Sequence, residues 1–167
     1  MKKTNLKLFV DMDGTLTEWR KACSIEHLYL DGYFYTLKPN VELIGYLNNI
    51  KNKIEVYIAS SYITEKSVKE KNDWLDKYFP IENEHRIFVP NNINKSQYII
   101  NHLKEPISKN YILLDDFTPN LIEWENAGGT SIKALNGINR KEGKWKGWMF
   151  DIFDLKFKKE GINEKEK

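Results

Sequence analysis

The sequence predicts a doubly wound α/β fold: a mostly parallel five-stranded sheet, helices on both faces, and a small cap inserted after the first strand. Three observations carry that expectation. Short apolar runs alternate with segments of helical periodicity along most of the chain. Several of those runs end on acidic or hydroxyl residues, as strands do where a parallel sheet presents its carboxyl edge. One aromatic-rich stretch breaks the alternation, between the first strand and the helix that should follow it.

Leu6 to Val10 is an apolar run ending at Asp11, the pattern of a buried strand. Residues 18 to 38 hold Trp19, Tyr29, Tyr33, Phe34 and Tyr35 and are read as the cap. Pro39 to Ile50 is helical, with Pro39 at its start and Val41, Leu43, Ile44 and Leu47 at helical spacing. Ile54 to Ala59 is the second strand. Thr64 to Phe79 is a helix with Thr64 as N-cap and Val68, Trp74, Leu75 and Tyr78 facing inward. Arg86 to Val89 is a third strand, and Lys95 to Leu103 a helix with Tyr98, Ile99 and Leu103 on its apolar face. Tyr111 to Leu114 is a fourth strand ending at Asp115-Asp116. Pro119 to Ala127 is a helix stopped by Gly128-Gly129, and Ser131 to Leu135 the fifth strand. Residues 145 to 155 are read as a closing segment packed on the core or as a partner contact. Residues 1 to 155 therefore form one domain, and the charged stretch 156 to 167 is expected to be a disordered tail.

Composition narrows the function classes. Of 167 residues, 41% are hydrophobic and 30% charged, ordinary for one globular domain. The net charge of +2 and only three arginines (Arg20, Arg86 and Arg140) argue against a nucleic-acid partner. Cys23 is the only cysteine, and His27, His85 and His102 have no zinc-type spacing. No apolar run nears the ~18 residues of a membrane span, and the N-terminal run stops at Asp11, short of the ~7–15 residues of an export signal. The expectation is a cytoplasmic protein with no membrane partner.

The expected strand and helix ends bring together Asp11, Asp13, Ser60, Ser61, Lys95, Asp115 and Asp116. Carboxylates crowded in this way repel, and a hard divalent cation such as Mg²⁺ relieves the conflict. Beside such a cation one carboxylate can attack phosphorus, and a second can move a proton to the leaving oxygen. A hydroxyl and an ammonium can then hold the phosphoryl oxygens. Ser60 and Ser61 compete for the hydroxyl role, with motif register favouring Ser60. Lys104 and Lys109 compete with Lys95, which alone opens a helix at the carboxyl edge.

The string FVDMDGTLT, Phe9 to Thr17, followed in order by Ser60, Lys95 and Asp115-Asp116, resembles the haloacid dehalogenase (HAD) superfamily of phosphatases. The resemblance spans roughly residues 6 to 135. It implies a Rossmann-like sheet, Mg²⁺ as cofactor and a small phosphorylated metabolite as partner. Asp11 would be nucleophile and metal ligand. Asp13 would be general acid/base and would ligate metal through its carbonyl. Ser60 and Lys95 would bind phosphate, and Asp116 would ligate metal with Asp115 in support. A closer resemblance, to the 5'(3')-deoxyribonucleotidases, rests on DMDGTLTEW, YFYTLKPNV, WLDKYF and YILLDD. It implies nucleoside monophosphates as substrates, Trp19 against the nucleobase, and a homodimer, the state of relatives in that branch. The interval from Asp13 to Ser60 is shorter than the cap of that branch, which implies a more open site.

Other readings of these residues stay open: sugar phosphates as substrates, and a phospho-accepting receiver-like module. Receivers place the acidic pair first and a lone acceptor later, and lack an acid/base two residues after the nucleophile, so Asp13 speaks against them.

Overall fold

The structure is a computed structural model and describes residues 5–18, 25–136, 138 and 145–159. Its sheet contains β1 (Lys7–Val10), β2 (Glu55–Tyr62), β3 (Arg86–Pro90), β4 (Tyr111–Asp115), β5 (Thr130–Leu135), β6 (Trp148–Asp151) and β7 (Lys156–Lys159). Four α-helices connect them: α1 (Val41–Ile50), α2 (Glu65–Tyr78), α3 (Lys95–Leu103) and α4 (Thr118–Asn126). The strand order is β3-β2-β1-β4-β5-β6-β7, parallel throughout except for β6 against β7.

The alternation of β1 splits the core. Leu8 and Val10 pack with Leu43, Leu47, Trp74 and Leu75 of α1 and α2. Phe9 points the other way, among Ile99, Leu121 and Trp124 of α3 and α4. Each such side chain contributes about 1.5–3 kcal/mol through burial. Local signals set the helix starts. The Asn40 side chain accepts from the Leu43 N–H at 3.1 Å, so α1 begins one residue after Asn40 rather than at Pro39. Thr64 and Ser67 form a capping box at the start of α2.

The sheet has seven strands rather than the expected five. β6 extends the parallel array, and its Phe150 is buried against the α1 side of the core. β7 corrects the expectation of a disordered tail from residue 156, at least for Lys156–Lys159. Their composition alone carries no strand signal. An edge strand needs only a backbone ladder and one apolar contact, here Phe157 on Phe150 at 4.8 Å, while its lysines remain in water. Residues 160–167 lie outside the described residues. Among the described residues, no helix is long and apolar enough to cross a membrane.

Of the cap, residues 18 and 25–38 are described, the latter as a 3-10 turn at Ile25–Tyr29 and then tight turns. Tyr33, Phe34 and Leu37 are buried together there, while Tyr35 is partly exposed.

Candidate active site

The sheet order reverses between β1 and β4, and the loops leaving these strands diverge to open a crevice at their carboxyl ends. β1 delivers Asp11, whose N–H donates to the Leu114 carbonyl of β4 at 2.9 Å. β4 ends on Asp115 and is followed by Asp116. The carboxylate oxygens of Asp11, Asp115 and Asp116 lie within 4.8 Å of one another. Lys95, the first residue of α3, donates to Asp11 Oδ1 at 2.7 Å and to Asp115 Oδ2 at 2.6 Å. Asp115 is fully buried and also accepts from the Phe117 N–H (2.8 Å) and from Asn120 Nδ2 (2.9 Å). Asn136, just past β5, donates to the Gly14 carbonyl at 2.8 Å and to Asp116 Oδ2 at 3.1 Å.

The turn after β1 is closed on the Met12 carbonyl, which accepts from the Thr15 and Thr17 N–H groups and from the Thr17 hydroxyl. Gly14 sits there with φ +78°, and a Cβ on it would meet Asp116 Oδ2 at 2.6 Å. Backbone conformation and close approach both require glycine. Gly14→Ala is expected to cost roughly 1–3 kcal/mol, read as a lower urea midpoint. An unchanged midpoint would show that the turn tolerates a side chain.

Asp13 lines the same cavity but is not one of the three clustered carboxylates. Its Oδ2 accepts from Lys71 Nζ at 2.5 Å, and its Oδ1 is buried with no hydrogen-bond partner among the described residues. Lys71 is itself fully buried on α2, and its ammonium also donates to Ser60 Oγ at 2.9 Å and to the Ser61 carbonyl at 2.7 Å. The Phe34 ring lies 4.6 Å from the same ammonium.

Burial and crowding set the charge states. Burial pushes the Asp11 carboxyl above its ordinary range. Lys95 opposes that shift, and Asp115 and Asp13 reinforce it. Asp116 is pushed up to about 8 by burial, then by Asp11 and Asp115, against the Asn136 hydrogen bond. Burial works against the Lys95 charge, but Asp11 and Asp115 more than offset it and hold its pKa above the usual lysine value. An all-oxygen cluster whose members resist ionising together suits a hard divalent cation, which would displace the protons.

The site opens into a cavity of about 700 Å³. Asp11, Asp13, Ser61, Lys95, Asp115 and Asp116 line it, with Phe34, Phe117 and Asn91 to Asn94 farther out. Ser60 is sealed one residue deeper under Lys71, because β2 runs on through Tyr62 instead of stopping at Ala59. Trp19 lies outside the described residues. Sequence reasoning missed Asn120 and Asn136, which hold Asp115 and Asp116, and Lys71. The signal for Lys71 was present: it falls on the helical stripe of Val68, Leu75 and Tyr78, an odd place for a solvated lysine.

No protein-family model matches the sequence, and no curated protein matches it. Solved structures do resemble the fold. A HAD-family enzyme of Bacteroides thetaiotaomicron, in complex with magnesium and inorganic phosphate, is 13% identical, with 81% of this chain and 97% of that one covered at a TM-score of 0.56. The D,D-heptose 1.7-bisphosphate phosphatase of B. bronchiseptica, complexed with magnesium and phosphate, is 12% identical over 81% and 84% at 0.57. A HAD-superfamily hydrolase of Ehrlichia chaffeensis is 16% identical over 81% and 89% at 0.53. The likeness is one of fold: the chain has the Rossmann-like α/β HAD fold.

Proposed function

We propose that the protein is a Mg²⁺-dependent phosphomonoester hydrolase working through an aspartyl-phosphate on Asp11. The observation that carries this reading is the carboxylate trio at the sheet's switch point, closed by Lys95 and accompanied by Asp13, whose Oδ1 has no hydrogen-bond partner among the described residues. The magnesium and phosphate bound in structures of the same fold support it.

The donor set fits the metal, being all carboxylate oxygen and too crowded to ionise freely. Asp11, Asp116 and the Asp13 carbonyl would hold Mg²⁺, with Asp115 behind them. When bound, it supplies positive charge that screens the nucleophile from the phosphoryl oxygens. Asp11 attacks phosphorus, and the bond to the leaving oxygen breaks. Asp13 donates a proton to that oxygen, held toward it by Lys71 on its other carboxylate oxygen. Asp13 then takes a proton from water, whose oxygen attacks phosphorus and frees Asp11 and inorganic phosphate. Lys95 balances charge on Asp11 before attack and on the phosphoryl group after it. Ser61 supports the phosphoryl oxygens from the cavity wall, while Ser60, sealed beneath, acts through the Lys71 ammonium that it holds.

For the substrate we propose a (deoxy)nucleoside monophosphate, with a homodimer as the assembled state. Support comes from the nucleotidase-like strings and from a cavity wall combining apolar rings with neutral amides. The test is phosphate release from nucleoside monophosphates and sugar phosphates, with Mg²⁺ and with EDTA. Metal-dependent release strongest on nucleotides supports the full reading. Release from sugar phosphates alone keeps the chemistry and discards the substrate, and no release from any of them discards the hydrolase.

Metal-free stability has a defined pH slope. The folded protein keeps a proton on Asp116 up to about pH 8, whereas the unfolded chain releases it near the ordinary carboxyl value. That contribution is full at low pH and is lost as pH rises toward 8. In EDTA the Tm is expected to fall from pH 5 to pH 8, and Mg²⁺ to flatten the fall, in a thermal scan at both pH values. A Tm that rises with pH in EDTA would contradict this charge state.

A further inference from the structure

Helix α2 grips the cap segment along one row of side chains. Lys66 pairs with Asp31, and Glu70 accepts the Gly32 N–H at 2.7 Å and the Phe34 N–H at 3.1 Å. One turn on, Trp74 donates to the Leu37 carbonyl at 2.8 Å, and Lys77 lies over the Tyr35 ring. Lys71 is next to Glu70 in sequence but faces the site, where its ammonium meets Asp13, Ser60 and the Ser61 carbonyl.

Glu70 is the informative member of the row. It is a buried carboxylate, 8% exposed, and both its oxygens are spent on backbone N–H groups of a turn. Burying that charge is costly, and charge-assisted hydrogen bonds to two N–H groups offset the cost only while the turn keeps one conformation. The second of those N–H groups belongs to Phe34, whose ring covers the Lys71 ammonium and packs edge-on to Tyr33 at 5.0 Å. Glu70 therefore holds the backbone of the residue whose side chain screens its own neighbour in sequence. Water reaching Lys71 would compete for the same protons that Asp13 and Ser60 accept.

We infer that Glu70 is a positioning residue for the reaction: by fixing the Phe34 ring over Lys71, it keeps that ammonium dry and directed at Asp13 and Ser60. This part of the cap is then a fixed wall bolted to α2. The kinetic consequence rests on the hydrolase reading; the shielding of Lys71 does not.

Three variants separate these ideas. Glu70→Gln keeps one acceptor oxygen and leaves the other of the two N–H groups facing the amide NH2, which cannot accept it. Phe34→Leu keeps apolar volume and removes the ring. Trp74→Phe loosens the same segment through Leu37, away from Phe34. The first readout is labelling of Lys71 by an amine-reactive ester, followed by peptide mass spectrometry under native conditions. Lys71 is expected to be protected in the wild type and in Trp74→Phe, and to react at least several-fold faster in Glu70→Gln and Phe34→Leu. The second readout is kcat and KM on p-nitrophenyl phosphate with Mg²⁺. Glu70→Gln and Phe34→Leu are expected to lose roughly ten- to a hundredfold in kcat with KM changed less than threefold. Trp74→Phe, less stable on melting, should keep its kcat.

Unchanged labelling in both site variants would overturn the shielding. Faster labelling with unchanged kcat, or an equal kcat loss in Trp74→Phe, would reduce Glu70 to a structural fastening. Should the wild type release no phosphate while labelling follows the expected pattern, the hydrolase reading fails and the shielding of Lys71 stands.

Discussion

Asp11→Asn is expected to yield a folded protein whose phosphate release, with Mg²⁺ and any substrate, falls at least about 10³-fold. The amide is nearly isosteric, and its oxygen can still accept from Lys95, as Asp11 Oδ1 does at 2.7 Å. It cannot attack phosphorus. Stability should not suffer in the metal-free protein. Burial, Asp115 and Asp13 disfavour the Asp11 charge in the wild type, and a neutral side chain removes that conflict. The expected pair of results is a Tm equal to or above wild type in EDTA and a lost reaction. Near-normal release from Asp11→Asn would assign the nucleophile elsewhere. A collapsed Tm would mean that the carboxylate charge is needed to hold Lys95.

Lys71→Met is expected to weaken both the fold and the reaction. Methionine matches the aliphatic stem and suits a helix interior, so the change isolates the ammonium. Its loss strands three acceptors: Asp13 Oδ2, Ser60 Oγ and the Ser61 carbonyl. Removing one partner of a buried ion pair costs several kcal/mol, but Asp13 keeps access to water, with 21% of its side chain exposed. A loss of roughly 1–3 kcal/mol follows, measured as a lower urea midpoint. With Asp13 no longer held, kcat should fall by about 10²–10³, with a smaller change in KM. Wild-type kcat in this variant would leave Lys71 a structural charge only.

Much of this site was legible before any folding was considered. Asp11 and Asp13 stand out because an apolar run stops on them, which puts both at the carboxyl end of a buried strand, where open parallel sheets bind ligands. Asp115-Asp116 repeats the pattern on β4, and the parallel alternation then dictates that both acidic ends share one edge. Lys95 was singled out because it opens a helix at that same edge, and its contacts to Asp11 and Asp115 accord with that placement. Side-chain direction is not written in local pattern. Whether Ser60 or Ser61 meets the cavity depends on where β2 stops, and the strand is prolonged by its pairing with β3 through Tyr62 and Pro90. Lys71 was hidden because it lies in a helix of many lysines, and only packing shows which one turns inward.

The amino-acid sequence by itself determined the periodicities, and with them the α/β class, the order of elements and the acidic strand ends, because these follow from local alternation and helical repeat. The tertiary structure alone decided the two added strands, since Lys156 to Lys159 form a strand only against an existing β6. It alone joined Glu70, Phe34 and Lys71 into one unit, because contacts between a helix and a distant turn carry no signature in local pattern. And it alone charged the site as it is: the proton held by Asp116 and the persistent charge of Lys95 come from burial and from neighbours far away in the chain.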